Sequence, residues 1–443
     1  AHAAGGRRDE GFDMANTLAG AGSRLWSPAR QRSFRLLWLG QSLSLLGDGF
    51  SYIAFSWITL SLTESALSLG YVLAFQAVPR AVLTLVGGSL SDSWSSRRLM
   101  AFSSWARAAL MVTVGVAGLA GTLTVWMLCV AAALFGAVDA FFQPARASIL
   151  PTVVEKETLA PANALLGVGA KVSAVLGPAV GGLVVAVTDA PVAFLVDGVC
   201  FALCGLCVSR IRPLPRPAGE AAAEEEDGEK GGEKGAAAAP AAGDSLLSRI
   251  RAGLRYAWED PRIRTVLVVD TAVTFCHAGP FTVGFATLAK VDLQGGSTTL
   301  GLLNGALAGG AMLGALVGGA TGGRPRVGLL IAALAGWLAL GMAVLGTVGS
   351  TVAALGTVLM MGFGIGFQGV FGISWIQRNI HGAVLSRVIS VDMVLGYAIA
   401  PLSLIVCGAL ASSGTGPMFA LTAVILTVTA LGVLASRNVR EMR

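Results

Sequence analysis

Charge is scarce in this chain. Asp, Glu, Lys and Arg make up 13% of its 443 residues, against 54% apolar ones, a balance that excludes a water-soluble domain of this length. Six cysteines occur, and Cys129, Cys200, Cys204, Cys207, Cys276 and Cys407 all fall inside apolar runs. That placement argues against the disulfide framework of a secreted protein. Cys200, Cys204 and Cys207 share one helical face but read as small apolar residues, so no metal is expected. The first 33 residues are polar and basic and lack the apolar core of a cleavable signal peptide. The run Gly362-Phe363-Gly364-Ile365-Gly366 lacks the preceding strand that a dinucleotide site needs. No nucleotide or other cofactor is expected, and ATP is not the driver within this chain.

What the chain does have is apolar length. Crossing a hydrocarbon core of about 30 Å takes roughly 20 helical residues, and a backbone in lipid must satisfy its own hydrogen bonds. Twelve such stretches are predicted: Leu36–Leu60, Ala66–Leu90, Leu99–Ala120, Leu123–Gln143, Asn163–Val187, Pro191–Arg210, Arg264–Ala289, Thr299–Ala320, Val327–Val348, Thr351–Ser374, Val388–Ala411 and Gly416–Ser436. The expected fold class is all-α and integral to the membrane, with two six-helix bundles. A basic N-terminal arm (1–33) precedes the first bundle (34–211). A Pro-, Glu-, Gly- and Ala-rich stretch (212–244) cannot bury a core and reads as a disordered linker. Residues 245–260 read as an interfacial amphipathic helix, with Leu246, Leu247, Ile250, Leu254 and Trp258 on one face. The second bundle (261–436) and a short tail (437–443) follow.

Of the 31 Lys and Arg residues, 27 fall on the side that holds both termini and the central stretch, while Lys290 alone falls on the other. That asymmetry places the termini in the cytoplasm and explains the net charge of +6 without nucleic acid. Arg outnumbers Lys 26 to 5, and Ala and Gly abound, which suggests a GC-rich bacterial genome and a bacterial plasma membrane. The lipid bilayer is thus one partner, and the chain is expected to work as a monomer. Leu85-Val86-Gly87-Gly88 closes span 2 as Leu316-Val317-Gly318-Gly319 closes span 8, each before a pair of arginines. Two six-span repeats around a cavity are a transporter architecture. In span 8, Gly301, Gly305, Gly309, Gly310, Gly314 and Gly318 recur at four-residue spacing, which lets helices approach closely in lipid.

The loop after span 2 reads Gly88-Ser89-Leu90-Ser91-Asp92-Ser93-Trp94-Ser95-Ser96-Arg97-Arg98. It resembles the loop 2–3 signature of the major facilitator superfamily, with Ser93 where a basic residue usually stands. The resemblance covers about Phe34 to Ser436. It implies that Asp92 with Arg97 and Arg98 forms a cytoplasmic gate that breaks and reforms as the halves rock, with Asp139 or the start of span 11 as partner. Gly177-Pro178-Ala179-Val180-Gly181-Gly182 resembles part of the span 5 signature of proton-coupled exporters, and reads equally as a Pro-kinked packing surface. Phe34-Arg35-Leu36-Leu37-Trp38-Leu39-Gly40-Gln41, Gly47-Asp48, Val78-Pro79-Arg80 and Pro144-Ala145-Arg146 resemble the branch of siderophore exporters and macrolide efflux proteins. The span 4 Arg-x-x-Gln-Gly pattern of many proton antiporters is missing, so their proton relay does not transfer directly.

Buried charges must then supply any coupling, because each costs roughly 3 kcal/mol at mid-bilayer. Asp48 lies about 18–21 Å from the cytoplasmic end and Arg80 about 15 Å, a depth that allows a pair. Permanent structural pairing is the other reading. Arg107 and Lys171 are candidates nearer the cytoplasm, for snorkelling or for pairing with Asp139. In span 7, Asp270, Thr274 and His277 share one face, and His277 has the chemistry to accept a proton. The resemblance implies that spans 1, 4, 7 and 10 line the cavity. Phe55, Phe135, Phe281, Phe367, Gln368, Phe371 and Trp375 would then make an aromatic pocket suited to an amphiphile. The expectation is a secondary transporter, not an enzyme, exporting amphipathic small molecules against protons. An uptake symporter for a nutrient, or a non-transporting scaffold or sensor, are the alternatives. A membrane enzyme would need an acidic pair and a sizeable outer loop, and the outer loops are short.

Overall fold

The computed structural model describes residues 26–91, 95–212, 214, 261–321, 327–379 and 382–435. The expected linker and amphipathic helix lie outside these, apart from Arg212 and Leu214, as do most of the N-terminal arm and the C-terminal tail. Where the sequence is apolar on every face and free of charge, the chain is helical, since no other open structure leaves its peptide groups satisfied in lipid. Among the described residues, twelve helices have membrane-spanning length and composition. They are α1 (Arg32–Thr63), α2 (Ala66–Ser91), α3 (Ser96–Leu119), α4 (Val125–Ile149), α5 (Leu159–Val187) and α6 (Ala190–Ser209) in the N-terminal half. The C-terminal half has α7, which starts as Pro261–Gly279 and continues through π-helical turns at Pro280–Gly284 and Leu288–Asp292. Then come α8 (Gly296–Thr321), α9 (Val327–Leu345), α10 (Thr351–Asn379), α11 (Gly382–Ala411) and α12 (Thr415–Ala435).

Several boundaries differ from those read in the sequence. Helix α4 passes through Pro144 to Ile149 instead of stopping at Gln143, and α5 starts at Leu159 instead of Asn163. Local polarity suggested loops there, but both segments pack into the half's own core, where Phe142, Ala145, Ile149 and Ala162 are buried. The turns are short. Glu64, in the left-handed region at φ 52°, ends α1 by donating its N–H to the Leu60 carbonyl. Successive helices therefore run up and down.

The two halves repeat one pairing scheme. Within the first, α1 packs on α5 and α6, α2 on α4, and α3 on α6; within the second, α7 packs on α11 and α12, α8 on α10, and α9 on α12. Two seams join the halves, α5 with α8 and α2 with α11. Both glycine stripes of α8 serve this packing. Gly301 lies against Pro178 and Gly182 of α5, while Gly310 and Gly314 lie against Leu359 and Phe363 of α10.

The apolar core shows where the halves meet. One cluster runs through both, from Ile53, Leu60 and Leu69 to Phe285, Leu300, Leu404 and Phe419. Its members lie toward the end opposite the chain termini, here the far end. Toward the terminal end, the clusters belong to one half each: Phe34, Leu37, Leu99 and Phe142 in the first, Leu267 with Val391 in the second. Outside, large apolar side chains such as Phe102, Trp126, Val187 and Val352 are exposed. On helices of this length such a surface faces hydrocarbon.

Candidate functional site

The most concentrated chemistry lies inside the N-terminal half. Arg107 of α3 is fully buried, and its guanidinium nitrogen lies 3.3 Å from Asp48 of α1 and 3.1 Å from Asp139 of α4. A second nitrogen donates to the Ser44 hydroxyl at 3.1 Å. The rings of Phe142 and Phe201 lie 4.3 Å from the guanidinium carbon, and that of Phe135 6.0 Å. A desolvated cation is costly, and two carboxylates with aromatic faces are what offsets that cost. Asp139 also takes Arg80 of α2, at 2.6 Å. Four helices are thus tied to one ionic cluster. Asp48 keeps 32% of its side chain exposed and Arg80 42%, while Arg107 and Asp139 are closed off.

This arrangement corrects the expected partners. Asp48 pairs with Arg107, and Arg80 with Asp139, because α2 packs on α4 while α1 has only marginal contact with α2. Arg107 does not snorkel. Asp139 is held by Arg107 and Arg80 and is no partner of Arg97, whose guanidinium donates to the Ile211 carbonyl at 2.6 Å. Arg98 is exposed, Gly88 lies within α2, and Asp92 lies outside the described residues. Lys171 is exposed and pairs with neither Asp139 nor any other described carboxylate. Asp197 of α6, a carboxylate within a span whose sequence suggests a structural role, is fully buried and accepts a hydrogen bond from Ser51 of α1. Gly47, one turn before Ser51, makes room for it: a Cβ at Gly47 would collide with the Asp197 carboxyl.

Much of the expected aromatic pocket is core. Phe55 is 1% exposed and packs edge-on against Phe135 and Phe194. Phe281 and Phe371 are also buried, and Phe281 instead carries the edge of His277, with centroids 4.4 Å apart. Helix membership cannot tell which way a ring turns. Phe367 and Gln368 remain half-buried, Phe367 between Phe363 and Phe371; the Trp375 side chain lies outside the described set. On α7, Asp270 is exposed and the Thr274 hydroxyl lies 3.5 Å from it. Asp392 of α11 lies near the Asp270 carboxyl. His277 is half-buried on the same face. The motif Gly177-Pro178-Ala179-Val180-Gly181-Gly182 packs. Gly177 and Gly181 lie against Gly49 and Phe50 of α1, and Gly182 against Ser297 and Gly301 of α8.

Polar contacts cross between the halves near the far end. The Tyr52 hydroxyl lies 3.2 and 3.1 Å from the carbonyls of Phe281 and Thr282. Lys290 donates to the Leu60 carbonyl at 2.5 Å, its ammonium 6.0 Å from the Trp57 ring. Ser297 donates to the Gly182 carbonyl at 3.0 Å.

Two pseudo-equivalent six-helix bundles, joined along two helix seams and carrying an ionic cluster within the membrane-spanning region, define a polytopic membrane carrier. The chain belongs to the Major Facilitator Superfamily, whose pattern matches residues 37–403. It is 28% identical over 404 residues to the multidrug efflux pump Tap of Mycolicibacterium fortuitum, covering 88% of this chain and 91% of that protein. The staphyloferrin A transporter of Staphylococcus aureus is 26% identical over 162 residues, 36% of this chain and 40% of that one. Among solved structures, the nucleoside transporter NupG superposes with a TM-score of 0.68 at 12% identity, covering 91% and 98% of the two chains. A bacterial homologue of the human lysosomal transporter Spinster, in an inward-facing and unoccupied conformation, superposes at 0.64 and 14% identity, covering 93% and 98%. These structural likenesses speak to the fold alone.

Proposed function

We propose that the chain is a proton-coupled exporter of amphipathic small molecules, working by alternating access in a bacterial plasma membrane with both termini cytoplasmic. The observation that carries this reading is the position of Asp48: a partly exposed carboxylate on one side of a fully buried arginine, with a closed-off carboxylate on the other. A proton reaching Asp48 neutralises it and leaves Arg107 to Asp139, which already holds Arg80. The tie of α1 to α3 then weakens while those among α2, α3 and α4 remain. That differential is what allows a proton to bias one arrangement of helices over another. One charge moved across 100 mV is worth about 2.3 kcal/mol, so a single proton supports a gradient of tens-fold at that potential. Export is favoured by the name of the Tap relative, a multidrug efflux pump that matches nearly the whole chain.

On this reading Asp92, Arg97 and Arg98 act at the cytoplasmic gate, and the exposed Asp270 with Thr274 meets the substrate path. The test is Asp48→Asn, which keeps the size and removes the proton site. In inverted vesicles energised by a proton gradient, the variant is expected to lose uphill drug accumulation while keeping downhill exchange of substrate for substrate. Wild-type accumulation by Asp48→Asn would remove Asp48 from the coupling path. Uphill accumulation in right-side-out vesicles with an inward proton gradient would reverse the direction and make the protein an uptake symporter.

A further inference from the structure

Lys171 takes no part in the charged cluster, yet it sits well inside the span of α5 with its side chain exposed. Its surroundings are defined by the two faces of that helix. On one, Leu165, Gly169, Ser173 and Gly177 are buried, and Gly169, Ser173 and Gly177 lie against α1. Lys171 lies on another stripe, with Val175, Pro178 and Gly182 at helical spacing, and this stripe meets α8 from the far end inward. Gly182 lies against Ser297 and Gly301, Pro178 against Gly301, and Val175 against Gly305. One turn further toward the terminal end the contact stops. A Cβ on Gly309 of α8 would meet nothing within 4 Å, and Lys171 is the next residue of the α5 stripe. The seam is therefore a wedge, shut at the far end and open from Lys171 and Gly309 onward. Its exposed walls are apolar: Val168 and Val172 on α5, Leu313 and Leu316 on α8.

Length decides what the ammonium reaches. The 29 residues of α5 span about 43 Å, some 13 Å more than a hydrocarbon core of about 30 Å, so each end projects by about 6 Å. Lys171 is about 18 Å from the Leu159 end and so about 12 Å inside the core. Side chains on a helix lean toward its N-terminus, which here is the terminal end. A lysine stem of about 6 Å carries its charge about half of the remaining way, and a phosphodiester drawn into the open wedge covers the rest.

We propose that the open α5–α8 wedge is a binding site for an anionic phospholipid, with Lys171 holding the phosphodiester and the apolar walls holding an acyl chain. Charge complementarity selects the occupant, for the wedge offers one cation and no described carboxylate partner for it. Closing the seam at the terminal end would bring Gly309 up to Lys171 and expel the lipid. Bound lipid thus favours the conformation with that end open. The site stands independently of the cargo carried in the cavity.

The full-length protein in nanodiscs supplies the test. Phosphatidylglycerol retained after exchange into phosphatidylcholine is counted by native mass spectrometry for wild type, Lys171→Gln and Lys171→Arg. Lys171 has no described ion-pair partner, so the glutamine variant removes no internal tie. Wild type and Lys171→Arg are expected to retain phosphatidylglycerol at least ten-fold better than Lys171→Gln. Spin labels on Val168→Cys and Leu313→Cys, with the six native cysteines replaced, should report the wide separation more often as phosphatidylglycerol is titrated, and only with a cation at position 171. Equal retention by Lys171→Gln overturns the proposal. So does full competition by millimolar inorganic phosphate, which would make the site one for free anions. A loss of substrate affinity in Lys171→Gln with lipid retention unchanged also overturns it, and returns Lys171 to the substrate path.

Discussion

Arg107 is the residue on which most depends. It joins α3 to α1 and α4 through Asp48 and Asp139, and three phenylalanine rings close around it. Removing one partner of a buried ion pair costs about 3–5 kcal/mol because the other is left charged and unpaired. Arg107→Ala strands Asp48 and leaves Asp139 to Arg80 alone, so its melting temperature in detergent should fall by several degrees, and Arg107→Lys should fall less because it keeps the charge but not the fork. The double change Arg107→Met, Asp48→Asn removes both charges of this pair, keeps the Asp139–Arg80 pair, and should recover most of the lost stability without recovering transport. A double variant as unstable as Arg107→Ala would show that packing, not charge, dominates here. The sequence showed which residues are ionisable within spans, since any charge in an apolar run is conspicuous. It did not show who meets whom. Asp48 and Arg80 lie on consecutive spans at similar depth, but their separation depends on which helices pack together, a tertiary fact invisible in hydropathy.

At the scale of the helix, glycine spacing carried more information than the motifs did. The stripes of α8 could be read directly, and both are used, one against α5 and one against α10. The Gly-Pro-Ala-Val-Gly-Gly run of α5 read equally as an exporter signature and as a Pro-kinked packing surface, and its geometry is that of a close three-helix contact with α1 and α8. Gly49 of α1 marks the centre of that contact. A Cβ there would lie 2.7–2.8 Å from the backbone of Gly177 and Pro178, which has no flexible end to yield. Gly49→Ala should therefore destabilise by about 1–3 kcal/mol through overpacking, whereas Gly432→Ala, with nothing within 4 Å, should be neutral or gain up to about 1 kcal/mol of helix propensity. Thermal unfolding of the two alanine variants side by side checks this. Equal melting temperatures would mean that α1 and α5 separate more easily than their backbone approach suggests. The aromatic pocket was the poorest part of the sequence reading for a related reason. Phe55 and Phe135 lie on helices expected to face the cavity, yet they turn into the bundle to pack on Phe194 and Phe201.

For the whole molecule, the two bundles share a core at one end, so the conformation is set by how firmly that end is sealed. Its polar fastenings are few and use backbone acceptors: Tyr52 on Phe281 and Thr282, Lys290 on Leu60, Ser297 on Gly182. Lys290, the one cation that sequence counting left on this side, holds the C-terminal carbonyl of α1, where a helix end carries partial negative charge. Carbonyl acceptors suit a seal that must break in every cycle, since a freed carbonyl can turn to water while a stranded carboxylate would demand a new cation. Each such bond contributes about 0.5–1.5 kcal/mol, and more where the donor is charged. Tyr52→Phe with Lys290→Met should therefore shift the balance between far-end-closed and far-end-open states by roughly ten-fold or more, since about 1.4 kcal/mol is one decade. Spin labels on Val187→Cys of α5 and Val352→Cys of α10, both exposed near the far end and one in each half, should report it in a background without native cysteines. The double variant is expected to gain a population at longer separation that the parent lacks, and to expose far-end positions to a water-soluble thiol reagent. An unchanged distance distribution would mean that the shared apolar cluster, and not these hydrogen bonds, holds the far end shut.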